Sequence, residues 1–223
     1  MTILSNDECT DVCFVIVHYR TPDLLRAAVT SLFEVLPEVV LRVVDNGPTE
    51  ETVAEISRLQ ERFPSMLPEF VDENIGHGPG LDRVISRQEH RWYFCLDSDV
   101  IVHSNAFLEP MLALGEEQGA YGVGRRIGLS NRGFFDASAD AIPALDPAYM
   151  LIKSTTYAEL PAFAHHGQPV LENFRAVANR DLTLVDFPVD EHIEHLHRGT
   201  VDRHGYGLGI RGKWNYVLEK LGL

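Results

Sequence analysis

The run Trp92-Tyr93-Phe94-Cys95-Leu96-Asp97-Ser98-Asp99 decides how this chain of 223 residues is read. Five apolar residues in a row suit a strand buried on both faces of a parallel sheet. The strand ends in two carboxylates one residue apart, at the carboxyl edge where open α/β sheets bind their ligands. Such a pair offers hard oxygen donors to Mg²⁺ or Mn²⁺, and a cation held there can in turn dock the phosphates of a nucleotide. Alone, Asp-x-Asp is equally ordinary turn chemistry, so its weight comes from the flanking sequence.

Upstream, residues 12–17 form a second continuous apolar run, followed by Thr21-Pro22-Asp23. That triplet reads as a helix start, with Thr as N-cap, Pro at the first helical position and an acid favoured by the macrodipole. Leu24, Leu25, Ala28, Leu32 and Phe33 then recur at helical spacing. A short strand over 41–44 ends at Asp45-Asn46-Gly47-Pro48, and a helix over about 49–63 is expected to turn Val53, Ile56 and Leu59 inward. Residues 69–71 read as a third strand, 76–80 as a glycine-rich turn and 81–86 as helix. Alternation of this kind implies right-handed crossovers and a parallel sheet with helices on both faces.

Downstream the pattern loosens. Residues 105–117 read as helix, 120–127, 149–153, 182–187 and 193–197 as strands, and 210–221 as a closing helix. Without repeats, low-complexity tracts or a dividing linker, 1–223 reads as one domain. Residues 1–11 are expected to be flexible and 12–104 to form a nucleotide-binding half. The segments 128–145 and 160–170 are expected to be irregular loops.

The formal net charge of -14 argues against a protein that grips nucleic-acid backbone, so no direct nucleic-acid partner is expected. No apolar run approaches the roughly 20 residues of a membrane span. Three scattered cysteines, Cys9, Cys13 and Cys95, fit a reduced, cytoplasmic setting.

Several segments, in order, resemble a family 2 glycosyltransferase of the GT-A fold. They are Phe14-Val15-Ile16-Val17-His18-Tyr19-Arg20, Val43-Val44-Asp45-Asn46, Asn74-Ile75-Gly76-His77-Gly78-Pro79-Gly80, Leu96-Asp97-Ser98-Asp99, Ala148-Tyr149-Met150-Leu151-Ile152-Lys153 and His197-Arg198-Gly199-Thr200. The resemblance implies a three-layer α/β sandwich around a mostly parallel, Rossmann-like sheet. It also implies a nucleotide-diphosphate sugar donor, UDP-linked most often, and an acceptor hydroxyl that stays unknown, with 105–223 as the acceptor-binding half and the loops 128–145 and 160–170 choosing the acceptor. Val17, His18, Tyr19, Asp45, Asn74, Gly76, Asp97 and Arg198 are then expected at the nucleotide sugar, and Asp97, Asp99 and His197 around Mn²⁺ or Mg²⁺. One departure stands out. Many members carry Glu-Asp before the late His, with the Asp as catalytic base, whereas here the pair is Glu172-Asn173. Asparagine cannot take a proton, so Glu172 is the first candidate, with Asp190 and Glu191 behind it.

Two other readings compete. A haloacid-dehalogenase-type phosphatase would use Asp97 as nucleophile, but some ninety residues precede it and no later Asp-Asp pair follows. A non-catalytic nucleotide-sugar-binding module would explain the Glu172-Asn173 departure. Zinc on His192, His195 and His197 finds little support, since alternation turns His192 away and no cysteines stand at zinc spacing.

Overall fold

In the computed structural model, which describes residues 11–164, 169–197 and 203, strands and helices alternate as the apolar runs require. They are β1 Val12–His18, α1 Pro22–Val35, β2 Val40–Asn46, α2 Glu50–Arg62, β3 Met66–Val71, α3 His77–Ile85, β4 Trp92–Asp97 and β5 Val100–Val102. Then come α4 Leu108–Glu117, β6 Gly122–Leu129, β7 Ile142–Lys153, α5 Ser154–Tyr157, α6 Leu171–Asn179, β8 Leu184–Asp186, a 3₁₀ turn at Val189–Glu191 and β9 Ile193–His195. The expected closing helix over 210–221 lies outside the described residues.

Seven strands form one sheet in the order β3-β2-β1-β4-β7-β6-β8. Only β7 runs against its neighbours; the β3-β2-β1-β4 half is parallel throughout. Alternation along β1 and β4 builds a core on each face. Phe14, Ile16, Phe94 and Leu96 pack with Leu25, Leu32, Ile56 and Met111 of α1, α2 and α4. Val15, Val17, Tyr93 and Cys95 pack on the other side with Leu81, Val84, Phe174 and Val177 of α3 and α6. The result is a three-layer sandwich, with β5 and β9 paired as a small second sheet.

Local chemistry explains most boundaries. Thr49 and Thr52 form a reciprocal capping box at the start of α2. Thr21 precedes Pro22 at the start of α1, but its hydroxyl makes no cap bond. Its N–H is given instead to His18. Gly80 lets α3 press onto β1, because a Cβ there would come within 2.8 Å of Val17. Three expectations needed correction. Val53 is 38% exposed rather than inward. β7 begins at Ile142, seven residues before the expected start. A helix occupies Leu171–Asn179 where none was read.

Candidate active site

The carboxyl ends of β2, β1 and β4 finish side by side, with His18 paired to Asp45 and Val17 to Asp97. Asp97 closes β4, and Asp99 follows in the turn to β5. The small sheet then brings β9 back, setting His195 opposite Val100. His195 Nε2 stands 3.2 Å from Asp99 Oδ1 and 3.7 Å from Asp97 Oδ2. One ligand atom from each of the three lies within 4.8 Å of the others. Beyond the other Asp97 oxygen, at 3.6 Å, is Nε2 of His77, the first residue of α3.

The electrostatics leave this corner short of positive charge. Burial and the like charge of Asp99 raise the Asp97 carboxyl above its ordinary range. Burial opposes charge on His195, yet the Asp99 hydrogen bond and the charges of Asp97, Asp99 and Asp146 raise its pKa. Burial pushes the His77 imidazole down to about 4. Two carboxylates and an imidazole make a donor set that suits Mn²⁺, and a cation would relieve the repulsion between the acids.

Other residues expected at the site take several places. His18 and Asp45 are fully buried. The Thr21 N–H donates to His18 Nε2 at 2.9 Å, so the ring hydrogen sits on Nδ1, 3.0 Å from Asp45 Oδ1. Thr52 donates its hydroxyl to Asp45 Oδ2 at 2.7 Å. Both Asp45 oxygens are thus engaged inside the protein, where the sequence reading expected a ligand contact. Tyr19 lies half-buried beside Gly47 with the Arg20 guanidinium over its ring, and Val17 is covered by α3.

Asn46 holds the glycine-rich turn in place. Its amide donates to Asn74 Oδ1 and to the Gly76 carbonyl, and its oxygen accepts from the Ile75 N–H. Gly76 itself has φ +101°, a left-handed backbone that favours glycine just before α3. Asn74 and Gly76 therefore stand at the working edge, fixed by a residue that sequence reasoning assigned no role.

The acidic residue chosen as base has a partner of its own. Glu172, in the first turn of α6, is paired with Arg175, which also donates to the Asn131 carbonyl. Asn173 is wholly buried, accepting from the Tyr121 hydroxyl at 2.6 Å and donating to the Pro161 carbonyl at 2.8 Å. His197 is exposed, with its ring 4.3 Å from that of His195; His195, rather than His197, joins the acids. Arg198 lies outside the described residues. Sequence reasoning missed His77 and Asp146. His77 was hidden in a glycine-rich turn, and the Asp146-Pro147 step, a strand-breaking signal, fell between the expected loop 128–145 and the expected strand 149–153.

The sequence profile of Glycosyl transferase family 2 matches residues 13–169. The chain belongs to that family. Its carboxylates at the end of β4 therefore belong to a glycosyl transferase family 2 domain, which sets aside the phosphatase reading of Asp97. No curated protein matches the chain in sequence. Among solved structures, the fold is similar to a mannosyltransferase, PcManGT from Pyrobaculum calidifontis, in complex with GDP-Man and Mn²⁺. That likeness has a TM-score of 0.62 at 13% identity, covering 80% of this chain and 55% of the other. It is also similar to S. aureus TarS 1-349 in complex with UDP-GlcNAc, with a TM-score of 0.53 at 14% identity, covering 68% and 48%. This chain thus spans about half the length of either structure, and the shared fold is that of GT-A glycosyltransferases. No helix among the described residues is long and apolar enough to cross a membrane.

Proposed function

We propose that this chain transfers a sugar from a nucleoside diphosphate sugar to an acceptor hydroxyl, with inversion, using Mn²⁺ or Mg²⁺ held by Asp97, Asp99 and His195. The convergence of these three side chains at the carboxyl edge of the sheet carries the reading. A cation bound there supplies Lewis-acid stabilisation to the departing diphosphate. The chain's own residues do the rest. Asn74 and Gly76, pinned by Asn46, and Tyr19 over Gly47 line the nucleotide side. His18 and Asp45 hold the loop between β1 and α1 from beneath. His197 has its ring 4.3 Å from that of His195, and Arg198, next to it in sequence, is the candidate for a diphosphate contact. The two solved relatives hold GDP-Man and UDP-GlcNAc, so GDP- and UDP-sugars are the donors to try first.

Thermal shift with GDP-mannose and UDP-N-acetylglucosamine, each with and without Mn²⁺, tests this reading. A donor at 100 times its Kd stabilises the native state by about 2.7 kcal/mol. At about 2–4 °C per kcal/mol for a chain of this length, that is roughly 5–11 °C. Asp99→Ala should remove the Mn²⁺-dependent part. If neither these nor other nucleotide sugars move the melting temperature at saturating Mn²⁺, the reading is wrong.

A further inference from the structure

We propose that Asp146 is the carboxylate that takes the proton from the incoming nucleophile; this rests on the transferase reading above. The last rung of the β4–β7 ladder is Leu96 opposite Tyr149. One step further along both strands sets Ala148 beside Asp97, and adjacent strands lie about 4.8 Å apart. Asp146 comes two residues later. There residues 146–149 of β7 face Arg125 alone on β6, because the register jumps from Gly124–Met150 to Arg126–Leu145. Pro147 has no N–H to give a ladder, so the strand bulges at the point where it passes the acids. The Asp146 charge reaches both Asp97 and His195.

The carboxylate is well fixed. Oδ1 accepts the Ala148 N–H at 3.0 Å, and Oδ2 is bridged by Arg125. The guanidinium stands over the Tyr149 ring at 5.7 Å, and that ring meets His195 edge-on at 6.4 Å. Asp146, Arg125, Tyr149 and His195 therefore form one continuous wall beside the cation ligands. A carboxylate has about four acceptor directions, so each oxygen keeps one for a substrate proton. Its side chain is 14% exposed, shielded but reachable, against 55% for Glu172 and 47% for Asp190. Arg125 Nε is buried with no partner among the described residues, and it is the Nη2 of this guanidinium that holds the carboxylate.

In the step, the nucleophile's oxygen bonds to the anomeric carbon as the bond from that carbon to the diphosphate oxygen breaks. The electron pair of the broken bond leaves with the diphosphate, and the nucleophile's proton passes to Asp146. Glu172, tied to Arg175 on α6, takes no part.

The test needs no knowledge of the acceptor. Water and azide are compared as nucleophiles against GDP-mannose and UDP-N-acetylglucosamine with Mn²⁺, because water must lose a proton and azide has none to lose. Asp146→Asn should slow donor hydrolysis by about 10²–10⁴-fold, the usual worth of a general base. Its azide reaction should match wild type, as should that of Asp146→Ala, and Glu172→Gln should hydrolyse normally. If wild type hydrolyses donor and Asp146→Asn does so equally, or if hydrolysis and azide reaction fall together, Asp146 is not the base and the transferase reading stands. If wild type neither binds nor cleaves any donor, both readings fall.

Discussion

Replacing Asp45 by alanine separates an internal strut from a ligand contact. The carboxylate is fully buried and holds two donors, His18 Nδ1–H at 3.0 Å and the Thr52 hydroxyl at 2.7 Å. Its removal strands His18 Nδ1–H, while the Thr52 hydroxyl turns to the Thr49 carbonyl at 3.1 Å; an unsatisfied buried donor costs about 1–3 kcal/mol. Taking about 2 kcal/mol for the stranded donor, at about 2–4 °C per kcal/mol, Asp45→Ala should melt roughly 4–8 °C below wild type. Asp45→Asn keeps more of the arrangement. Its amide oxygen accepts from His18, and its nitrogen donates to Thr52 Oγ1, so the loss should be near about 1 kcal/mol. Circular dichroism melts of the two variants with wild type, all without ligand, suffice. An Asp45→Ala protein that melts within about 2 °C of wild type but no longer binds donor would refute the reasoning, placing the carboxylate at the ligand.

Three further outcomes follow from the site. His195→Ala should weaken Mn²⁺ binding more than tenfold, whereas His197→Ala should change it less; isothermal titration of the metal reads this directly, and equal losses would put His197 in the shell. In the cation-free protein the raised pKa values of Asp97 and His195 mean that the folded state binds protons more tightly than the unfolded one. Their contribution to stability is therefore full at low pH and declines as pH rises, above 3.8 for Asp97 and above 6.5 for His195. Melting temperatures against pH in EDTA, compared with Asp97→Asn, should show that decline in wild type and a shallower one in the variant, while saturating Mn²⁺ reverses the slope. Asn173→Asp, which restores the acid common in the family, should leave the Pro161 carbonyl without its donor and cost about 1–3 kcal/mol. It should bring no gain in donor turnover; a rise in kcat would show that the position faces substrate.

The nucleotide-binding half was legible because its signals are local and mutually consistent. Continuous apolar strands, a Pro-started helix and acids at a strand end all specify one architecture. Asp97 and Asp99 could be found from the strand that carries them. The third member could not, because His195 and His197 are two residues apart in sequence, and only the pairing of β9 with β5 sets His195 beside the acids. The burial of Asp45 escaped for a related reason. A carboxylate at a strand end reads as exposed, and nothing local reveals that His18, 27 residues away, seals it. The helix Leu171–Asn179 escaped because Glu172-Asn173 was weighed only as a departure from the family's acidic pair, whereas Tyr121 and Pro161 fix Asn173 as an internal brace. Bulges such as Asp146–Tyr149 depend on the register of two neighbours at once, which a linear pattern does not encode.

The β6–β7 arm continues well past the point where β4 stops, pairing Leu129 with Ile142 at its far end and carrying Phe135, 73% exposed, near its tip. The strand ends that hold the acids are clamped between neighbours, so their spacing tolerates little change. The arm is a cantilever, and insertions or exchanges within residues 130–141 leave every rung of the central ladder in register. Selection can therefore lengthen, shorten or rewrite that overhang while the interior chemistry stays constant, and a laboratory graft of the same twelve positions would have the same freedom.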